Sequence, residues 1–374
     1  MTAFPAILIF TLQGVTVTAT AAATPSARVH PAWLPRVDSL VEEQRLAQKV
    51  PGISLAIVKD GALVVAKGYG ESNVEHHVPV IPETIFQSGS VGKQFTAAAV
   101  MLMVEEGRLA LEDSITRYLP DAPASWKPIR VRHLLTHTCG IPDYAVDAFD
   151  YRHDATEEQL TKMAYGLELQ FEPGAKYEYS NTGYLLLGVI IHKVSGQFYG
   201  DLLAERVFRP LGMSTARVIS EADIVPHRAA GYQLVDGQLK NQDWVAPSLN
   251  TTADGALYLS ALDMIAWDKG LRAGAILKPQ SWKQVYTPVR LNSGENYPYG
   301  FGWSVNMRGG APLYSHGGSW QGFKAYIARY LGADVTIILF ANLADTDTGK
   351  LVDGVAAIID PSLAPPPEAA SDAE

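Results

Sequence analysis

Apolar residues recur along this chain with two different periods, and the change from one to the other outlines a fold. Val37, Leu40, Val41 and Leu46 lie near one face of residues 37–50, which predicts an amphipathic helix. The stretch ISLAIVKDGALVVAKGYG holds two apolar runs joined at Asp60-Gly61 and predicts a β-hairpin. After Ser90, the residues Val91, Phe95, Ala98 and Leu102 fall at i, i+4, i+7 and i+11, and Gly107 supplies a stop. A helix therefore begins near Ser90. Between residues 113 and 210 the pattern is mostly helical, with helices over 131–137 and 184–194 and another opened by the capping box Thr156 to Gln159. Further helices fit 202–208 and 262–271. The period then shortens to two. YPYGFGWSV, APLYSHGG, GFKAYIARYLG and ADVTIILFANL are β-rich runs split by glycines, and they predict an antiparallel meander. A last helix fits 349–359, and the Pro-, Ala- and acid-rich residues 361–374 predict a disordered tail. No internal repeat is present. The expected architecture is α+β: an antiparallel sheet built from both chain ends and flanked by helices, with a helical lobe inserted at about 100–245. One domain would span 24–345, followed by the terminal helix and tail over 346–374.

The chain has 374 residues and is 47% hydrophobic, enough for a sizeable core. It carries 39 acidic against 30 basic side chains, a net charge of -9, and has no run of Lys or Arg. That balance argues against nucleic acid and anionic membrane surfaces as partners. Residues 1–23 contain no charged side chain, an apolar core over 4–12, and small residues at Ala19, Ala21 and Ala23. They resemble a secretory signal cleaved near Ala21 or Ala23, although the usual Lys or Arg before the apolar part is missing. Export to the periplasm or medium is expected. No later run is long and apolar enough to span a membrane. Cys139 is the single cysteine, so the fold is held without an intrachain disulfide.

The segment QSGSVGKQF places a lysine among small residues at a predicted helix start. A phosphate loop, G-x-x-x-x-G-K-[ST], fails at both ends, because Gln87 and Gln94 replace the glycine and the hydroxyl residue. A nucleophile elbow, G-x-S-x-G, fails only at its first position, but it wants a parallel sheet. S-x-x-K remains, with Ser90 one helical turn before Lys93 on the same face. The free N–H groups and positive dipole end of a helix lower a lysine's pKa and stabilise oxyanion charge. Alone, the pattern is weak, since a solvated lysine at a helix end would match it.

Two further segments change that balance: FEPGAKYEYSNTGY, with Tyr179 and Asn181 spaced Y-x-N, and Tyr314-Ser315-His316-Gly317-Gly318 in the meander. With S-x-x-K, then Y-x-N, then Lys or His followed by two residues ending in Gly, the chain resembles the serine β-lactamase and penicillin-binding protein superfamily. The similarity is to the branch of class C β-lactamases, D-alanyl-D-alanine carboxypeptidases and related esterases. PGISLAIVKDG, VRHLLTHTCGIPDY and YGFGWSV also resemble segments of that branch, so the likeness covers roughly residues 37–345.

The resemblance implies Ser90 as nucleophile, with Lys93 and Tyr179 as its catalytic partners and no metal or cofactor. A phenol beside a lysine ammonium is more easily deprotonated, so Tyr179 is expected to serve as general base toward Ser90 and then as acid to the leaving group. Asn181 has a donor and an acceptor with which to hold Lys93 and the substrate amide, and it can equally be a helix N-cap. By the resemblance, the backbone N–H groups of Ser90 and Ser319 form the oxyanion hole, and Gly317 and Gly318 let substrate approach the strand. His316 stands where class C β-lactamases usually have lysine and is closer to the peptidases, D-aminopeptidases and esterases of the branch. With an ordinary pKa near 6.5, it would gain charge as pH falls from about 8 to 6 and would then attract anionic substrates.

Other residues carry less weight. His133 and His137 are spaced as zinc ligands often are, but Leu134 stands where H-E-x-x-H has glutamate. Cys139, near His137 and Asp143, suggests a thiol nucleophile, against the commoner buried small thiol. Trp303, Trp320, Phe323 and Tyr144 either line an acyl pocket or pack the sheet and loops. The expected function is a serine hydrolase that cleaves amide or ester bonds of small peptides or esters, as a D-peptide carboxypeptidase, aminopeptidase or short-chain esterase. A class C-type β-lactamase and a non-catalytic binder of peptides or cell wall are the alternatives. The sequence leaves oligomeric state open.

Overall fold

Asp60 and Gly61 both adopt positive φ, +53° and +71°. A two-residue turn of this kind matches the twist of the strands it joins. It connects β1 (Gly52–Lys59) to β2 (Ala62–Asn73) as the sequence predicts. The computed structural model describes residues 31–144 and 149–366. Within them β1 and β2 join β3 (Val78–Pro79), β4 (Ser304–Arg308), β5 (Ala311–Trp320), β6 (Phe323–Tyr330) and β7 (Val335–Ala341) in a seven-stranded sheet. The order is β4-β5-β6-β7-β1-β2-β3, and the pairings are antiparallel. β1 pairs with β7 from Ile53↔Ala341 to Lys59↔Val335, so both chain ends build the centre of the sheet.

The two faces of the central strands enter different cores. Ile53, Leu55 and Ile57 of β1 and Ile337 and Leu339 of β7 pack with Val37 and Val41 of the Leu34–Ala47 helix and Leu351, Val352 and Val355 of the Thr348–Ile359 helix. Ala56, Ile338 and Phe340 point the other way, into the larger core with Phe95 and Trp267. This alternation is the two-residue period of a strand covered on both sides. The Lys93–Glu105 helix is buried along Lys93 to Met103, as a helix apolar all round must be.

Several sequence expectations need adjustment. Leu46 is 61% exposed, outside the apolar face. In YPYGFGWSV only Tyr297, in the short strand Asn296–Tyr297, and the end from Ser304 are strand. Gly302, at φ +73°, bends the chain onto the Lys93–Glu105 helix so closely that a β-carbon would lie 2.9 Å from Gln94 N. The expected helix over 202–208 begins earlier, as Tyr199–Leu203, and continues through a π-turn at Ala204–Phe208. The tail is ordered at Pro361–Leu363, where Leu363 is buried. Several elements had no clear period, among them the helix Pro279–Val285, the hairpins of Tyr232–Val235 with Gln238–Asn241 and of Val289–Arg290 with Asn296–Tyr297, and a small sheet of Ile85–Gln87, Leu257–Ser260 and Arg217–Val218. The possible signal, residues 1–23, and the end of the tail lie outside the described residues. Among the described residues no helix is long and apolar enough to cross a membrane.

Candidate active site

The strand Ile85–Gln87 pairs with Leu257–Ser260, and Ser88 N–H donates to Leu257 O at 2.8 Å. Gly89, at φ +51°, then turns the chain into a 3₁₀ turn, Gly89–Gly92, which runs into the Lys93–Glu105 helix. Ser90 is half-buried on this turn. The turn is gripped by backbone from two distant segments. A β-carbon on Gly255 would lie 2.7 Å from Gly89 C, and one on Gly318 would drive into Ser88 O. Gly318 is thus small because β5 closes directly on the turn. Gly318→Ala is expected to cost about 1–3 kcal/mol, seen as a lower urea midpoint; an unchanged midpoint would show that the strand does not bear on the turn.

Lys93 is fully buried, and its Nζ meets three acceptors: Ser90 Oγ at 2.9 Å, Asn181 Oδ1 at 2.7 Å and the Asp254 backbone oxygen at 2.5 Å. Burial lowers its pKa to about 8, against the raising effect of the Asp254 and Asp143 charges. Asn181 is held in turn by Asp143, whose Oδ2 accepts from its backbone N–H at 3.1 Å and from Nδ2 at 2.9 Å. That carboxylate fixes which end of the amide faces the lysine. Asn181 is the first residue of the Asn181–Ser195 helix, and Ser180 takes the N-cap position instead. The Asp254 carboxylate accepts from Tyr144 Oη at 2.9 Å.

Tyr179 lies beside this group, with Lys93 Nζ 4.9 Å from its ring centroid. Its hydroxyl is buried and makes no hydrogen bond. Burial holds its pKa well above the ordinary phenol value; the nearby Ser90 hydroxyl opposes this, without the alignment of a hydrogen bond. Burial therefore opposes the expected lysine-assisted phenolate. Desolvation moves the amine toward neutrality and the phenol away from ionisation.

His316 is buried, and burial lowers its pKa to about 4. That shift opposes the expected gain of charge between pH 8 and 6, because the ring sits inside the protein and not at its surface. Ser319 is exposed and lines a cleft of about 300 Å³ with Ser90, Asn181, Asp254, Tyr151 and Trp320. Of the four aromatic candidates, Trp320 reaches this cleft; Trp303 and Phe323 belong to the core, and Tyr144 serves Asp254. Cys139 is buried, with its thiol pKa pushed up to about 11 by desolvation, which suits an inert core residue. His133 accepts from Arg130 N–H at 3.1 Å, and both nitrogens of His137 are hydrogen-bonded, so the pair does not present two free ligands. Sequence reasoning missed Asp143, Asp254 and His137 as parts of the site. The His137 ring stacks on Tyr179 with centroids 4.1 Å apart.

A serine held against a buried lysine, with a buried tyrosine beside them and a glycine-rich strand closing over the turn, places the chain among the β-lactamase-related proteins. The Beta-lactamase family model matches residues 37–358, and the chain belongs to that family. Penicillin-binding protein 4* of Bacillus subtilis (strain 168) is 32% identical over 299 residues, covering 75% of this chain and 66% of that protein. A D-aminopeptidase of Gluconobacter oxydans (strain 621H) is 28% identical over 304 residues, 78% of this chain and 56% of that one. The chain thus spans about two thirds or less of the length of these two relatives. Among solved structures, a D-amino acid amidase from Ochrobactrum anthropi SV3, complexed with D-phenylalanine, superposes with a TM-score of 0.78 at 25% identity, covering 89% of this chain and 100% of that one.

Proposed function

We propose that the protein is a serine hydrolase that cleaves amide or ester bonds of small substrates through an acyl-enzyme on Ser90. The observation that carries this reading is the setting of Lys93. As a neutral amine it can give its two protons to Asn181 Oδ1 and Asp254 O, leaving a lone pair directed at Ser90 Oγ 2.9 Å away. Ser90 Oγ then attacks the substrate carbonyl while its proton passes to Lys93 Nζ. The carbonyl π electrons move onto oxygen, which the N–H groups of Ser90 and Ser319 receive. Collapse of the tetrahedral adduct breaks the bond to the leaving amine or alcohol. Tyr179, kept as a neutral phenol by burial, gives that group a proton and recovers one from Lys93. Water attacks the acyl-enzyme by the reverse route and frees Ser90. No step calls for a metal or cofactor.

The D-aminopeptidase and D-amino acid amidase among the relatives favour small amides of D-amino acids as substrates. Export is proposed on the sequence of residues 1–23. A panel of nitrocefin, D-alanyl-D-alanine peptides, D-amino-acid amides and short-chain aryl esters tests the substrate class; turnover of nitrocefin alone would favour the β-lactamase reading. Because His316 stays neutral down to about pH 4, the ratio of kcat/KM for an anionic peptide to that for a neutral aryl ester is expected to stay flat from pH 8 to 6. A ratio that climbs toward pH 6 would show that His316 gains charge against the substrate.

A further inference from the structure

Four hydrogen bonds, three of them buried and one part-buried, join the loop after Tyr179 to the strand that carries Ser319. Ser180 N–H donates to His137 Nδ1 at 3.2 Å, and His137 Nε2 meets Tyr299 Oη at 3.2 Å. Tyr299 Oη meets His316 Nε2 at 2.8 Å, and His316 Nδ1 meets the Gly317 carbonyl at 2.6 Å. The two ends settle every proton between them. A backbone N–H only donates and a backbone carbonyl only accepts. His137 must therefore carry its proton on Nε2 and donate to Tyr299. Tyr299 must donate to Nε2 of His316, and His316 must carry its proton on Nδ1. With both rings neutral, three side-chain protons and one backbone proton fill four bonds. A further proton on His137 would set two donors face to face, and one on His316 would force the Tyr299 hydroxyl to turn its own proton away from that ring.

We propose that Tyr299 is a positioning residue, the joint of a one-way hydrogen-bond relay that sets Tyr179 against the Ser319 strand and locks His137 and His316 as opposite neutral tautomers. The kinetic part of this inference rests on the acyl-enzyme reading above. His137 passes the constraint to Tyr179 through their stacked rings and through Ser180, the next residue in the chain. Its own backbone holds φ +55°, a left-handed conformation uncommon for a residue with a side chain. At the other end, Gly317 lies two residues before Ser319 on β5. The groups facing the relay agree with neutral rings. Burial lowers both histidine pKa values, and the Lys93 charge lowers them further. Tyr177, Tyr179 and Tyr184 surround Tyr299. Tyr184 directs its own proton to Leu135 O at 2.9 Å.

The test uses the full chain labelled with ¹⁵N-histidine. Long-range ¹H–¹⁵N correlation from pH 5.5 to 8.5, with the two rings assigned from His316→Gln and His137→Gln spectra, should show His137 protonated on Nε2 and His316 on Nδ1, with neither titrating. The opposite tautomer, or a midpoint inside that range, at either ring would overturn the relay, and this measurement needs no variant to be active. Tyr299→Phe keeps the ring and removes the joint. Its kcat should fall by up to about a hundredfold, with KM changed less than about twofold, as expected when reacting groups are displaced but binding is kept. His316 should begin to titrate, because it loses the donor that favours its neutral form. Unchanged kcat, or a loss confined to KM, would overturn the positioning role. If Ser90 in the parent protein fails to label with a fluorophosphonate, the acyl-enzyme reading falls while the tautomers stand; wrong tautomers beside a labelled Ser90 sink the relay alone.

Discussion

Ser90→Ala is expected to remove both turnover and covalent labelling. Incubation of the parent protein with a fluorophosphonate should add mass to the peptide that holds Ser90, and the alanine variant should stay unmodified. Turnover of the best substrate should drop by about four orders of magnitude or more, because the remaining groups have no oxygen to activate. Stability should hardly change. The Ser90 side chain is half-buried, and the turn that carries it is held through Gly89, Gly255 and Gly318 rather than by its hydroxyl. Label on Ser88 would point instead to the neighbouring serine, whose hydroxyl already reaches Gly89 O and Gly255 O at 3.1 and 3.3 Å. Label on Cys139 would revive a thiol mechanism.

The second large effect concerns Lys93. Lys93→Ala should lower kcat by about a hundredfold or more, the usual scale for loss of acid–base help. The pH profile of the parent is more discriminating. With its pKa lowered to about 8 by burial, Lys93 is mostly ammonium at pH 6 and mostly free amine at pH 9. A base works only when unprotonated. Thus kcat/KM should rise roughly tenfold per pH unit well below 8 and level off above it. A Tyr179 phenolate sustained by a lysine ammonium gives the reverse above pH 8, a fall as the lysine loses its proton. A profile that declines from pH 8 to 9 on a protein still folded would return the base to Tyr179 and remove Lys93 from that role.

Much of the fold was legible because its periods are plain. The Asp60-Gly61 turn, the helix after Ser90 and the runs of β5, β6 and β7 state their structure in local spacing. YPYGFGWSV misled because aromatic residues alternating with glycines imitate a strand, while the glycines in fact let the chain fold over a helix. Ser90, Lys93, Tyr179 and Asn181 could be found from motif order, and the structure brings them together. What could not be read was their state of charge. The sequence places a phenol near a lysine, but burial decides which of them ionises, and burial is settled by segments far along the chain. Asp143, Asp254 and His137 were missed for the same reason. Each acts through a partner distant in sequence, and the one spacing that drew notice, His133 with His137, pointed to zinc instead.

The closure of distant backbone on the turn before Ser90 also bears on how the chain comes into being. Gly89 meets Gly255 from the middle of the sequence and β5 from near its end, while β1 waits for β7 to become a central strand. Pairings this remote make folding slow, since long loops must close before the contacts that reward them can form. A chain growing from its N-terminus would hold Ser90 and Lys93 early, yet lack the strand proposed to receive the oxyanion until β5 had been made. Any fragment ending before Ser319 should therefore be inert, however well its helices form, and a burst of acylation during refolding would mark the moment when the last strands dock.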